Sequence, residues 1–259
     1  MKLKINNVRI SLLHEQSLEQ AVCKKAGISR EMLGSVQILR KAVDARKKQD
    51  VCLNYHVLAD IEANGRQAKR LLADRDISKY EQKAAPELVL GTLPLSAPPV
   101  VIGAGPAGLL AALQLAEHGY QPLLLERGKP VAERVQDVQR FWSTGDFNPA
   151  SNVQFGEGGA GTFSDGKLTT RVNDPQMADI LQLFVEAGAP ENILYEHKPH
   201  VGTDKLRAMV TGLSRRIVEL GGSVRYNARV SDLLIKNNTV QGVVLEDGEQ
   251  IAAGAVVLA

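Results

Sequence analysis

With 259 residues, 44% of them hydrophobic and 23% charged, the chain has the composition of an ordinary soluble globular protein, long enough for one large or two modest domains. Aromatic residues make up only 4%, which argues against a base-stacking nucleic-acid platform. The net charge of +2 hides an asymmetry: residues 1–95 carry 17 Lys and Arg against 11 Asp and Glu, whereas the remainder carries 14 against 18, a division that fits two domains better than one.

In chain order, Leu3, Ile5, Val8, Ile10 and Leu12 alternate imperfectly, which predicts a strand with an irregularity at Asn6–Asn7. Ser17-Leu-Glu-Gln20 reads as a capping box opening a helix that ends before Gly27. Strands follow at Val36–Val43 and Val51–Ala59, with Ala45–Asp50 as their hairpin turn, and a short helix carries Ala68, Leu71 and Leu72. The β-α-β-β-α order implies a small α+β, ferredoxin-like domain over residues 1–83. Residues 84–98, rich in proline, read as a linker. Arg40–Lys48 is the basic cluster of this half; a solvated hairpin that protects a sheet edge is preferred over an RNA contact, because charge alone is weak evidence for nucleic acid. Cys23 and Cys52 form no Cys-x-x-Cys, which removes a redox pair of that spacing and a thiolate metal site and fits reduced thiols in a cytoplasmic protein. The start, Met1–Ile10, has no apolar core of a secretory signal, and the apolar run from Val100 to Ala116 is too short and too broken by glycine and proline to span a membrane.

From residue 99 strands and helices alternate. Val100–Ile102 is a buried strand, Pro106–His118 a helix, and Gln121–Glu126 a second strand. Helices are expected at Val131–Trp142, Asp174–Ala187 (Asp174 capping, Pro175 in the first turn) and Asp204–Leu220, and a short strand at Ser223–Tyr226. Asp232–Lys236, Val240–Glu246 and Gln250–Ala259 read as three further strands.

Gly103-Ala104-Gly105-Pro106-Ala107-Gly108 sits between a strand and a helix, the context that gives such a motif meaning. Gly103 allows the tight turn, Gly105 the approach of a pyrophosphate, and Gly108 close packing of helix on strand. The helix start offers free N–H groups and a positive dipole end to the phosphates. Glu126 ends the next strand, 18 residues after Gly108, where a carboxylate accepts from adenosine ribose hydroxyls. About 95 residues then intervene before Ser223, followed by an antiparallel meander and the apolar strand Ala255–Ala259. That split layout, with Glu126-Arg127-Gly128 after the second strand, resembles glutathione-reductase-like FAD domains more than an NAD domain built of successive βαβ units.

Residues 152–171 hold five glycines between Gly156 and Gly166, which suggests backbone packed closely on a flat ligand; the interspersed Phe155, Phe163 and Leu168 argue against a free surface loop. Together with GAGPAGLLAA, ERGKPVAERVQDV, the later GTDKL and the ARKK-containing N-terminal part, this stretch resembles the uncharacterised bacterial family of FAD-dependent, or NAD(P)/FAD-dependent, oxidoreductases across essentially the whole chain. The resemblance implies FAD as cofactor, NAD(P)H as an electron donor, and a small-molecule substrate it does not specify. It places Gly103, Ala104, Gly105, Pro106, Ala107 and Gly108 at the pyrophosphate, Glu126 at the ribose, and Arg127 and Gly128 near the adenine end. Arg134 would reach a phosphate or the flavin-side loop, with a surface arginine as the alternative. Gly158, Gly159, Ala160 and Thr162 would lie along the ribityl chain and ring, and Val230 would pair its backbone with adenine.

No general base or nucleophile stands out: His197 and His200 flank Lys198-Pro199, and Asp165 and Lys167 lie in the glycine-rich segment, but none is assigned as catalytic. Flavin chemistry needs little beyond orientation and electrostatics. The expectation is therefore an FAD-binding Rossmann-like domain over residues 99–259, with a three-stranded meander, in a flavin-dependent dehydrogenase of the cytoplasm. The alternatives are an NAD-binding enzyme without redox turnover, as in thiazole-forming relatives, and a flavoprotein acting with RNA. Because Ala255–Ala259 ends the chain before any turn brings it back, a C-terminally incomplete protein, inactive by itself, is also expected.

Overall fold

The computed structural model describes every residue except 82–90, 93, 171, 173 and 175, so most of the expected linker and Pro175 lie outside the described residues. The chain forms two compact units, Met1–Leu88 with Asn192–Pro199, and Val89–Glu191 with His200–Ala259.

The first unit runs β1 (Lys2–Ser11), α1 (Leu18–Ala26), β2 (Leu33–Asp44), β3 (Cys52–Ile61), α2 (Gly65–Leu72) and β4 (Ile77–Lys79). Its sheet has the order β2-β3-β1-β4 with every pair antiparallel, the ferredoxin-like arrangement. Leu3, Ile5 and Val8 are fully buried and pack with Val57, Ala59 and Ile61 of β3 and with Ala21, Val22 and Leu71 of the helices. The spacing from Ile5 to Val8 breaks strict alternation, and a bulge restores it: the β1–β3 register shifts between them, with Asn7 at φ 57. Asparagine tolerates that conformation, so the irregularity at Asn6–Asn7 turns Val8 back into the core. Ser17 and Gln20 form the expected capping box, Asn64 and Gln67 form a second one, and Gly27 ends α1 at φ 63.

Strand β4 was not anticipated, since three residues carry no readable period; pairing of Leu3 with Lys79 and Ile5 with Ile77 defines it. The segment Asn192–Pro199, expected within the 99–259 domain, belongs to the first unit instead. The Lys41 N–H donates to the Tyr195 carbonyl (2.7 Å) and the His197 N–H to the Lys41 carbonyl (3.0 Å), which covers part of the outer edge of β2. Such long-range edge pairing leaves no mark in local sequence.

The second unit runs β5 (Val100–Ile102), α3 (Pro106–Glu117), β6 (Leu123–Leu125), α4 (Val131–Thr144), α5 (Met177–Glu186), α6 (Thr203–Glu219), β7 (Ser223–Arg225), β8 (Val230–Lys236), β9 (Thr239–Leu245), β10 (Gln250–Ala252) and β11 (Val256–Leu258). Strands β11-β5-β6-β7 form a parallel sheet, and β10-β9-β8 a three-stranded antiparallel meander. The run Gln250–Ala259 is thus two strands: Gln250–Ala252 closes the meander and Val256–Leu258 joins the parallel sheet beside β5. Helix α5 begins at Met177 rather than beside Asp174, whose carboxylate instead accepts from the Gln176 N–H (2.8 Å). The chain proceeds from β5 to β6 and β7 on one side and returns as β11 on the other. The order therefore reverses at β5, and ligands of parallel sheets bind at the carboxyl ends of the strands at such a switch point. No described helix is long and apolar enough to cross a membrane.

Candidate functional site

The turn after β5 stands at that switch point. Gly103 has φ 100, and a Cβ there would meet the Ala259 carbonyl at 2.7 Å. Gly108 is pressed so closely on the Gly103 carbonyl that no side chain fits. Gly105 differs from both: its φ of −71 suits any residue, and a Cβ there would meet nothing within 4 Å. It borders a cavity of about 490 Å³. The first bond of α3 runs from the Leu109 N–H to the Gly105 carbonyl (2.9 Å), leaving the N–H groups of Ala107 and Gly108 unpaired among the described residues. Pro106, at the first helical position, has no N–H to leave unpaired. The helix start thus presents donors and a positive dipole end beside an open space, the chemistry that receives a diphosphate.

Glu126 is 5% exposed at the end of β6. Its Oε2 accepts from the Ala104 N–H (2.8 Å) and its Oε1 from the Gly128 N–H (2.7 Å), so the carboxylate holds the glycine turn to the strand end. Each oxygen keeps a lone pair, and Glu126 lines the cavity, so the carboxylate can still accept from a hydroxyl placed there. Glu126→Ala is expected to weaken dinucleotide binding by ~1–3 kcal/mol, since it removes charge-assisted acceptors from a buried site. Titration of the dinucleotide into mutant and wild-type protein measures this, and equal affinities would remove Glu126 from the site.

The glycine-rich segment crosses the same turn. The Gly158 N–H donates to the Ala104 carbonyl (2.7 Å), and a Cβ on Gly159 would lie 3.5 Å from the Gly105 Cα. Two buried side chains fix this crossing. Arg134, on α4, is 0% exposed, so it is not a surface arginine. Its guanidinium donates to the carbonyls of Asn152 (2.8 Å), Glu157 (2.7 Å) and Val153 (2.9 Å), and Gly156 packs on its side chain. Burial lowers its pKa to about 10 against the opposing pull of Glu126 and Glu157, which leaves it charged at neutral pH. Glu157, 2% exposed, accepts from the Val131 N–H at the start of α4 (2.7 Å), from Ser214 of α6 (2.5 Å) and from the Tyr226 hydroxyl (2.6 Å). Burial, then the bond to Glu157, raises the Tyr226 pKa, so the phenol remains a donor.

Of the residues expected at a cofactor, Gly103, Gly105, Glu126, Arg127, Gly159 and Val230 line the cavity. The others do not line it, and Pro106, Ala107 and Ala160 among them are exposed. Gly128 lies against Ala150 and Gly156, Gly158 against Val210, and Thr162 is buried and donates to the Glu157 carbonyl (3.1 Å). Ala104 is buried at the turn, and Ala160 opens the short 3-10 turn Ala160–Phe163. Gln154, Phe155, Gly156 and Arg229 line the cavity without having been singled out; the signal for the first three was their place in the glycine-rich run. Arg127 stacks on the Phe155 ring, 3.3 Å from its centroid. Asp165 and Lys167 form an exposed ion pair (2.8 Å) that keeps the carboxyl below its usual range, and Lys167 pairs through its backbone with His200. His197 is in the first unit, where its Nδ1 accepts from Arg40 (2.9 Å). Among the described residues no cluster of His, Cys, Asp and Glu is arranged to hold a metal ion.

A glycine turn at the switch point, a helix start open to a cavity and an acidic strand end define a Rossmann-like dinucleotide-binding unit. Residues 101–151 accordingly match the family model of the NAD(P)-binding Rossmann-like domain, and residues 2–60 match a domain of unknown function (DUF8436). An uncharacterized protein of Clostridium beijerinckii is 41% identical over 263 residues, covering 100% of this chain and 48% of that protein. Thiamine thiazole synthase of Aeropyrum pernix is 30% identical over 147 residues, 56% of this chain and 42% of the synthase. The solved structure of THI4 from Thermovibrio ammonificans aligns at TM-score 0.41 and 19% identity, covering 62% of this chain and 56% of that one. The chain spans less than half the length of the curated relatives it matches.

Proposed function

We propose that this chain is the FAD-binding part of a flavin-dependent oxidoreductase that draws electrons from a small-molecule substrate or from a nicotinamide cofactor. The observation that carries the reading is the opening of Gly105 and the free N–H groups of α3 onto a cavity of about 490 Å³ that Glu126 also lines. FAD is favoured over NAD by the layout around that cavity. The chain inserts α4, the glycine-rich segment, α5 and α6 before β7, and then builds a meander instead of a further βαβ unit.

In this reading Gly103, Gly105 and the start of α3 hold the diphosphate, Glu126 the ribose, and Arg127 with Val230 the adenine end. Gly159 lies on the path away from the diphosphate. The bound flavin supplies the hydride-accepting chemistry, while the chain orients it and leaves one side of the cavity open. One relative in the same similarity range is named as a reductase, the digeranylgeranylglycerophospholipid reductase 1 of Methanococcoides burtonii, 28% identical over 149 residues. The synthase match favours the competing reading, a nucleotide held without redox turnover.

Purification separates the two. The expected result is a yellow protein whose flavin absorbance bleaches under an anaerobic reductant. A colourless preparation that takes up NAD but not FAD would establish the competing reading.

A further inference from the structure

Arginines in the second unit are largely committed: Arg134 to three carbonyls, Arg225 to Glu249, Arg229 to Glu246, and Arg215 and Arg216 to Glu219. Arg207, on the second turn of α6, is not. Among the described residues its side chain makes no hydrogen bond and no ion pair, and its Nε is buried without a partner. Asp204, one turn earlier on the same helix, is not within ion-pair distance. The guanidinium lies over the ring of Phe163, 4.9 Å from its centroid, and Arg134 approaches the same ring at 4.9 Å. Two cations therefore share one aromatic ring, and the second has no carboxylate to answer it.

A desolvated donor without an acceptor is unfavourable, and an acceptor from outside the chain relieves it. The Phe163 ring holds the guanidinium on one side, and the fork of N–H groups suits a two-oxygen partner. The place is informative as well. Phe163 lies in the glycine-rich segment, as does Phe155, which stacks with Arg127 at the cavity. Gly159, between the two rings, abuts the dinucleotide turn. Arg207 does not line the dinucleotide cavity, so it is separate from the proposed diphosphate site.

We infer that Arg207 is an oxyanion-binding residue that receives the carboxylate or phosphate group of the substrate. This inference rests on the proposed flavoprotein reading for the word substrate, but the anion site itself stands on Arg207, Phe163 and Arg134. The test uses the full chain with whatever dinucleotide it retains on purification. The arginine Nε–Hε resonances are followed by NMR while sodium acetate, sodium phosphate or sodium chloride is added at constant ionic strength, and the Arg207 signal is identified by its loss in R207K.

The expected result is a saturable shift of the Arg207 signal with acetate or phosphate, absent with chloride. A response to acetate alone assigns a carboxylate, and one to phosphate alone a phosphate. Thermal stabilisation by the effective anion should need about tenfold more anion in R207K, because the bidentate fork is lost, while dinucleotide content is unchanged. No saturable shift below about 100 mM, the regime of non-specific contact, would overturn the site. So would an equal shift with chloride, or loss of the dinucleotide in R207K, which would make Arg207 a support of the cofactor segment. A wild-type protein free of flavin overturns the proposed function without touching the anion titration.

Discussion

Gly105→Val is expected to abolish dinucleotide retention while leaving both units folded. The reason lies in how Gly105 differs from its neighbours. Its φ of −71 is open to valine, and the new Cβ would touch no protein atom within 4 Å. The added side chain fills space in front of α3, where the pyrophosphate approaches, so the cost falls on the ligand. A loss of at least about 3 kcal/mol, more than a hundredfold in affinity, is expected. The effect on the fold should stay near 1 kcal/mol, the scale of a changed helix cap. Gly103→Val provides the contrast: at φ 100 and against the Ala259 carbonyl it strains the turn itself and should lower the melting temperature. Unchanged cofactor stoichiometry in Gly105→Val would place the diphosphate elsewhere.

The second large effect is expected at Arg134. Replacement by methionine keeps much of the side-chain volume but removes the donors to the carbonyls of Asn152, Val153 and Glu157. The Asn152 and Val153 carbonyls would lose their side-chain donor, the Glu157 carbonyl would keep only Thr162, and the Glu157 carboxylate would lose the cation that faces it. A destabilisation of about 3–5 kcal/mol is expected, the range for breaking a buried charged network on one side. Lysine at this position reaches fewer carbonyls and lacks the planar fork, so it should recover only part of the loss. Denaturant midpoints of the three proteins measure this. A methionine variant within 1 kcal/mol of wild type, the ordinary scatter of neutral changes, would mean that other contacts hold the glycine-rich segment.

Much of the architecture is written locally. The Ser17–Gln20 box starts α1, Asn6–Asn7 marks the bulge, and the glycines between β5 and α3 announce a turn that only a close backbone approach requires. Glu126 is legible because a strand period places it at the end of β6. These features depend on φ, on hydrogen bonds a few residues apart and on hydrophobic period, and a sequence carries all three directly.

Other features were decided only when distant segments met. Strand β4 exists because Ile77 pairs with Ile5, and the segment around Glu196 joins the first unit because Lys41 has free edge groups. Arg134 reads as any helix arginine until packing buries it beneath residues 152–157, and Glu157 reads as a loop acid until Val131, Ser214 and Tyr226 converge on it. Nothing within a few residues of either one signals its partners. The sequence by itself determined the helix caps, the β1 bulge and the glycine turn between β5 and α3, since these rest on local conformation. The tertiary structure alone decided which polar side chains became buried fixtures, since burial and hydrogen-bond partnership depend on what the rest of the chain brings to them.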